Sequence, residues 1–223
     1  MNVLLSSYNF HEKWIREELK DYIKENSKVV ILPLAFSEKW ICNSEQWDNA
    51  YSREQGKYYL EIVEPFLSFG IKEENILWLN YYRHNAEEMI DYINNSDVLF
   101  LTGGLPDKTI ERVLEIGLLD TLKKYKKLIM GASAGAMVQL AEYYISPDED
   151  YEFFGSYNGL GLTDMDFQIE VHFTKSEVQM ECISKVLKEK ADKIYAIGEK
   201  GGLIIKDNFI KTCGDVTLFG EIS

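Results

Sequence analysis

The sequence predicts an α/β domain with three layers, in which one largely parallel sheet lies between helices and antiparallel strands are added near the C-terminus. Three observations lead there. Short apolar runs alternate with amphipathic stretches as far as Ala141. Runs such as "SKVVILPL" are continuously apolar, as expected of strands buried on both faces. After "GASAGAM" the pattern becomes strand-rich, with one clear helix. No repeat, low-complexity tract or linker divides the chain, so a single domain spanning residues 1–223 is expected.

Each element has its own signal. "NVLLSS" reads as a strand, and Trp14, Ile15, Leu19, Tyr22 and Ile23 then recur at helical spacing. "SKVVILPL" is the next strand. The long stretch "AFSEKWICNSEQWDNAYSREQGKYY" begins as loop and leads into a helix through Leu60, Ile62, Val63 and Leu67, ending near Gly70. "NILWLN" and "DVLFLTGG" are strands on either side of a helix carrying Met89, Ile90 and Ile93. "LPDKTIERVLEIGLLDTLKKYKK" is helical, "KLIMGAS" is a strand, and an apolar helical run follows it. Beyond it, "YYISP", "DFQIEVHF", "KIYAIG", "GLIIKDN" and "FIKTCG" read as short strands. Residues 176–190 form a helix with Val178, Cys182, Ile183, Val186 and Leu187 on one face.

Composition narrows the function. The 223 residues are 46% apolar and 27% charged, which suits one sizeable core. The net charge of −13, from 24 basic and 37 acidic residues, argues against a nucleic-acid partner, whose phosphates call for a basic face. No apolar run approaches the ~20 residues of a membrane span. The opening "MNVLLSSYNF" lacks the basic flank and long apolar run of a signal peptide, so a cytoplasmic location is expected. Cys42, Cys182 and Cys213 form no CxxC pair, and His11, His84 and His172 form no cluster. Neither a disulfide framework, a protein-built metal site nor a cofactor is expected.

The chemistry concentrates around Ser133. "LIMGASAG" places it where a strand turns into a helix, at the carboxyl end of the strand, where open parallel sheets gather functional groups. Larger side chains at Gly131 and Gly135 would collide with neighbouring backbone, as in a nucleophile elbow. The N–H of Ala134 is then free to meet a developing oxyanion. A serine hydroxyl needs a base oriented by a carboxylate. His172 follows a strand and precedes a helix, whereas His11 reads as part of a surface helix and His84 as a solvated loop residue. For the acid, Glu199 stands alone between an apolar strand and a Gly-Gly turn, and the run Asp148, Glu149, Asp150 is the alternative. Gly103 and Gly104 close another strand and offer a second oxyanion donor. Phe36, Trp40, Trp47, Tyr51, Tyr58 and Tyr59 could wall a substrate pocket or simply pack an irregular connection, with Tyr58 and Tyr59 entering the next helix.

Three blocks in this order, "FLTGG", "GASAGAM" and "VHF" followed by "IGEKGGLII", resemble peptidase family S51, the aspartyl dipeptidase (peptidase E) and cyanophycinase group. The resemblance runs from Val98 to Ile205. It implies a class I glutamine-amidotransferase-like fold and a Ser-His-Glu triad. Ser133 would be the nucleophile, His172 the base and Glu199 its partner, and Ala134 with the Gly103-Gly104 turn would form the oxyanion hole. The implied activity is hydrolysis of a small peptide through an acyl-enzyme. The dipeptidases of this group carry arginines in the helix after the histidine, which read an acidic substrate side chain. "FTKSEVQMECISKVLKEK" has none, and Lys175 does not reproduce a bidentate guanidinium. "EKGGLI" is closer to the cyanophycinase pattern. The rival readings are another serine acyl hydrolase, such as an esterase, and a non-catalytic ligand-binding protein on the same scaffold. A glutamine amidotransferase would want cysteine at position 133.

Overall fold

Alternation of side chains along the strands creates the layers. In β1 (Asn2–Leu5) Leu4 faces one core while Val3 and Leu5 face another. In β4 (Val98–Leu101) Leu99 and Leu101 divide from Val98 and Phe100 in the same way. A strand buried on both sides must be apolar throughout, which is why these runs carry no polar alternation.

The computed structural model describes residues 1–163 and 165–220; residues 164 and 221–223 of the expected 1–223 domain lie outside them. The remaining main-sheet strands are β2 (Val29–Leu32), β3 (Ile76–Trp78), β5 (Leu128–Ala132), β8 (Gln168–Glu170), β9 (Lys193–Lys206) and β10 (Phe209–Gly220). Their order is β10-β9-β1-β5-β4-β2-β3, with β8 beside β9. From β1 to β3 neighbouring strands are parallel, whereas β9 runs antiparallel to β1 and to β10. One face is covered by α1 (Lys13–Leu19) and α3 (Tyr59–Ser68) through Ile15, Leu19, Ile62 and Phe66. The other face receives α4 (Ala86–Asn94), α5 (Pro106–Ile116), α6 (Leu119–Lys124) and α7 (Ala134–Met137), through Ile93, Val113, Leu122 and Ala136. This is the expected three-layer α/β domain. No helix among the described residues is long and apolar enough to cross a membrane.

Several local expectations are corrected. "KIYAIG" and "GLIIKDN" are one 14-residue strand, β9, and Gly201-Gly202 is not a turn. A β-carbon at Gly201 would strike the Asp215 carbonyl, so this glycine permits close strand packing where β10 shifts register between Gly214 and Val216. "FIKTCG" continues to Gly220. Gly117, at φ 83°, breaks the long helical region into α5 and α6. An unforeseen α2 (Ser44–Tyr51) starts where Asn43 accepts the Gln46 N–H. The helix after Ser133 is only one turn, because the 138 and 140 carbonyls are taken by the N–H groups of Leu160 and Gly161. The chain then enters a small antiparallel pair, β6 (Glu142–Ile145) and β7 (Gly155–Asn158). The expected 176–190 helix is α8 (Glu177–Glu189), capped by Ser176.

A close backbone approach lies between α7 and β4, where a β-carbon on Gly135 would overlap the Leu101 carbonyl. Gly135→Ala should lower the unfolding free energy by about 3 kcal/mol, the upper part of the range for overpacking a tight core. The midpoint and slope of urea denaturation measure it.

Candidate active site

Ser133 follows β5 and caps α7 with φ 52° and ψ −118°, a conformation that residues other than glycine rarely adopt. Its N–H donates to the Leu5 carbonyl (2.9 Å), and its own carbonyl accepts the N–H groups of Ala136 (2.9 Å) and Met137 (3.1 Å). The glycines on either side are equally constrained, since a β-carbon on Gly131 would overlap the Gly135 carbonyl. The small residues around the serine thus let a strand turn into a helix within one residue while its side chain stays accessible.

His172 lies just beyond β8 and also has a positive φ, 51°. Its N–H donates to Ser6 Oγ (2.7 Å), and its carbonyl accepts Gln179 Nε2 (3.0 Å). With the backbone held at both ends, the ring spans the gap between Ser133 and Glu199. Nε2 lies 2.9 Å from Ser133 Oγ and Nδ1 lies 2.6 Å from Glu199 Oε1. In the tautomer that donates Nδ1–H to the carboxylate, the Nε2 lone pair faces the serine hydroxyl. The other carboxylate oxygen accepts the Ser7 hydroxyl, and Asn9 Nδ2 donates to the Glu199 carbonyl (3.0 Å). Partial burial raises the Glu199 carboxyl, but the hydrogen bonds from Ser7 and His172 and the attraction of His172 outweigh it. The carboxyl is therefore held below its ordinary range.

The two glycines after β4 are not equivalent. Gly103 donates its N–H to Tyr8 Oη (2.7 Å). Gly104, at φ 128° with the Ala35 carbonyl behind its α-carbon, has an N–H without a partner among the described residues. Ala134 likewise keeps its N–H free at the start of α7.

Two cavities meet at Ser133. The larger, about 740 Å³, has a wall of Phe36, Trp40, Ile41, Tyr51 and Tyr58. Four of the six singled-out aromatics therefore face the site, while Trp47 and Tyr59 pack against Trp78. Arg112 anchors this wall from behind. Its guanidinium is buried, sits 3.6 Å from the Phe36 ring centroid, donates to the Leu34 and Phe36 carbonyls, and pairs with Glu38. The smaller cavity, about 300 Å³, lies between Met137, Tyr144 and Ile169 and carries Asp148, Asp150 and Glu170, with no lysine or arginine in its lining. Glu170 is 6% exposed and accepts the Ser146 hydroxyl (2.8 Å); burial pushes its carboxyl above the usual range.

Ser133, His172 and Glu199 are thus brought into one hydrogen-bonded line, with Ala134, Gly103 and Gly104 beside it. Of the four acids considered, Glu199 alone touches His172. Asp148 instead accepts the backbone N–H groups of Asp150 and Tyr151 in a turn, and Glu149 is exposed. Two histidine expectations need correction. His11 precedes α1 and is half-buried, with no partner for Nδ1 among the described residues. His84 is half-buried too: its Nδ1 accepts the Asn80 N–H (3.1 Å), and burial lowers its pKa. Lys175 is exposed and lines neither cavity. Sequence reading missed Ser6, Ser7, Tyr8, Glu170 and Gln179. The available signal was the polar "SSY" at the carboxyl end of the first strand, a position of the same kind as Ser133.

The model of peptidase family S51 matches residues 3–213. A candidate peptidase E protein from Listeria monocytogenes EGD-e superposes with a TM-score of 0.66 at 19% identity, covering 95% of this chain and 96% of that one. A peptidase from an acI-B1 actinobacterium gives 0.62 at 17% identity, covering 99% and 87%. None of the curated proteins matches.

A depressed carboxyl pKa contributes stability above the unfolded-state value, and that contribution is lost as pH falls through the folded value. Removing the Ser7 hydroxyl takes away one of the bonds that depress Glu199. In Ser7→Ala the Glu199 carboxyl should therefore titrate at a higher pH than in the wild type, and its share of stability should fade at a higher pH. Carbon-13 NMR titration of the side-chain carboxyl reads the shift directly.

Proposed function

The chain belongs to peptidase family S51 and is a hydrolase of the serine-peptidase class; on that premise we propose that it is a cytoplasmic enzyme cleaving short peptides through a Ser133-His172-Glu199 triad. The observation that carries this reading is the unbroken hydrogen-bond line, 2.9 Å from Ser133 to His172 and 2.6 Å from His172 to Glu199. A hydroxyl, an imidazole and a carboxylate at those separations are placed for proton transfer and nucleophilic attack.

His172 Nε2 takes the Ser133 proton as Oγ bonds to the scissile carbonyl carbon, and the C=O pair moves to oxygen. The free N–H groups of Ala134 and Gly104 receive that oxyanion. The oxyanion pair returns, the C–N bond breaks, and His172 hands its proton to the departing amine. Water, deprotonated by the same imidazole, then releases the acid and restores Ser133. Glu199 holds the ring's tautomer and stabilises the imidazolium formed between the steps.

The smaller cavity supports a short substrate with a free amino terminus. Its acidic side chains and the lack of lysine or arginine in its lining among the described residues suit an ammonium group and disfavour an acidic side chain. With Lys175 outside it, nothing there does the work of the arginines found in the aspartyl dipeptidases. The reading of a cytoplasmic location is supported by three free thiols, Cys42 being exposed.

Ser133→Ala should lower hydrolysis of the best substrate in a dipeptide panel by ~10⁴-fold or more and abolish labelling by a serine-directed phosphonate. Undiminished turnover in that variant would refute the nucleophile. The same panel, with N-acetylated dipeptides and simple esters alongside, tests the substrate: free dipeptides should be cleaved fastest. Faster cleavage of the esters would instead favour a general acyl hydrolase.

A further inference from the structure

The donor expected at Gly103 is already occupied, because its N–H is spent on Tyr8 Oη at 2.7 Å. The phenol oxygen accepts that bond, and its own proton has no acceptor among the described residues. Its position is tightly bounded. A β-carbon built on Gly103 would lie 3.1 Å from Tyr8 Oη and 3.3 Å from Ser133 Cβ, so the hydroxyl and the serine β-carbon are neighbours no more than about 6.4 Å apart. Both line the larger cavity together with Gly104 and His172.

We propose that Tyr8 is a catalytic residue whose O–H donates to the oxygen of the scissile carbonyl, standing in for the N–H that Gly103 cannot offer. This rests on the serine-peptidase reading above. A hydroxyl that accepts a hydrogen bond becomes a better donor, so the Gly103 bond strengthens the Tyr8 proton's bond to a developing oxyanion. The ring is packed in place against Phe100, 5.8 Å away, which in turn meets Phe10 and Phe66. The donor is therefore preorganised and needs no rearrangement as charge develops. Burial pushes the phenol pKa well above its ordinary value, which keeps the proton on Tyr8 through the alkaline range.

Tyr8→Phe keeps the ring and removes the donor. We expect kcat to fall about 10²-fold with KM within about threefold, as for loss of one oxyanion donor, and phosphonate labelling of Ser133 to slow in parallel. The opposite outcome has a clear cause: if Tyr8 only occupies the Gly103 N–H, freeing that group leaves kcat unchanged or raises it, and the proposal is overturned. A second probe is independent of any folding defect. Incorporating a fluorinated tyrosine at position 8 preserves the shape and makes the phenol more acidic. A more acidic phenol is a stronger donor, so a donor role predicts that kcat rises with KM within about threefold, and an unchanged kcat overturns it. The wild type and Ser133→Ala separate the two levels of inference. If wild-type protein is not labelled at Ser133, the nucleophile assignment falls and this proposal with it; if it is labelled and Tyr8→Phe reacts equally fast, only the role of Tyr8 falls.

Discussion

Four consecutive residues at the end of β1 hold Ser133, His172, Glu199 and Gly103. The Leu5 carbonyl takes the Ser133 N–H, Ser6 Oγ takes the His172 N–H, the Ser7 hydroxyl donates to Glu199, and Tyr8 Oη takes the Gly103 N–H. They can do so because β1 is central, between β5 and β9, with β4 one strand beyond β5 and β8 farther along the edge of β9 that β1 also pairs with. Each functional loop emerges beside its edge, and one short segment serves as a common template. Ser133, His172 and Glu199 come from distant parts of the chain, so a shared template is what fixes their spacing to within a hydrogen bond's tolerance.

That template also makes two unfavourable backbone conformations tolerable. Ser133 and His172 both sit at φ near 50°, each of which costs about 1–3 kcal/mol for a residue with a side chain. At each the amide is anchored on β1 and the carbonyl accepts further hydrogen bonds. The strain is placed where it orients chemistry: it turns Oγ and the imidazole toward each other instead of along their strands. The glycines at 131 and 135 follow from the same demand, since the elbow leaves no room for a β-carbon against its own helix or β4.

Around this rigid centre the two cavities differ in character. One is shaped by the aromatic segment that contains α2, stiffened by a buried guanidinium that satisfies two backbone carbonyls. The other is acidic and small, built from β6, β8 and the loop after β6. An arginine on loop carbonyls adds rigidity that the loop's own hydrogen bonds do not provide, so the aromatic wall is tied to the sheet. Position 170, at the end of β8, places a carboxylate in this cavity, where it accepts the Ser146 hydroxyl.

The sequence by itself determined the layer order, most strand positions, and the serine and histidine that meet, because these depend on local signals; for the acid it offered Glu199 with Asp148, Glu149 and Asp150 beside it. Apolar runs mark buried strands, glycines mark close approaches, and a polar residue at a strand's carboxyl end marks a functional edge. It misjudged Gly201-Gly202, since a Gly-Gly pair reads alike whether it turns a chain or lets strands pack closely, and only the neighbouring strand distinguishes the two. It could not separate Gly103 from Gly104, nor see the work of Ser6, Ser7 and Tyr8. Those roles are set by hydrogen bonds between residues about 95 to 190 positions apart, and such bonds leave no periodicity in the chain. Which N–H is free and which acid reaches the imidazole are decided by strand order, a property that exists only once the sheet has formed.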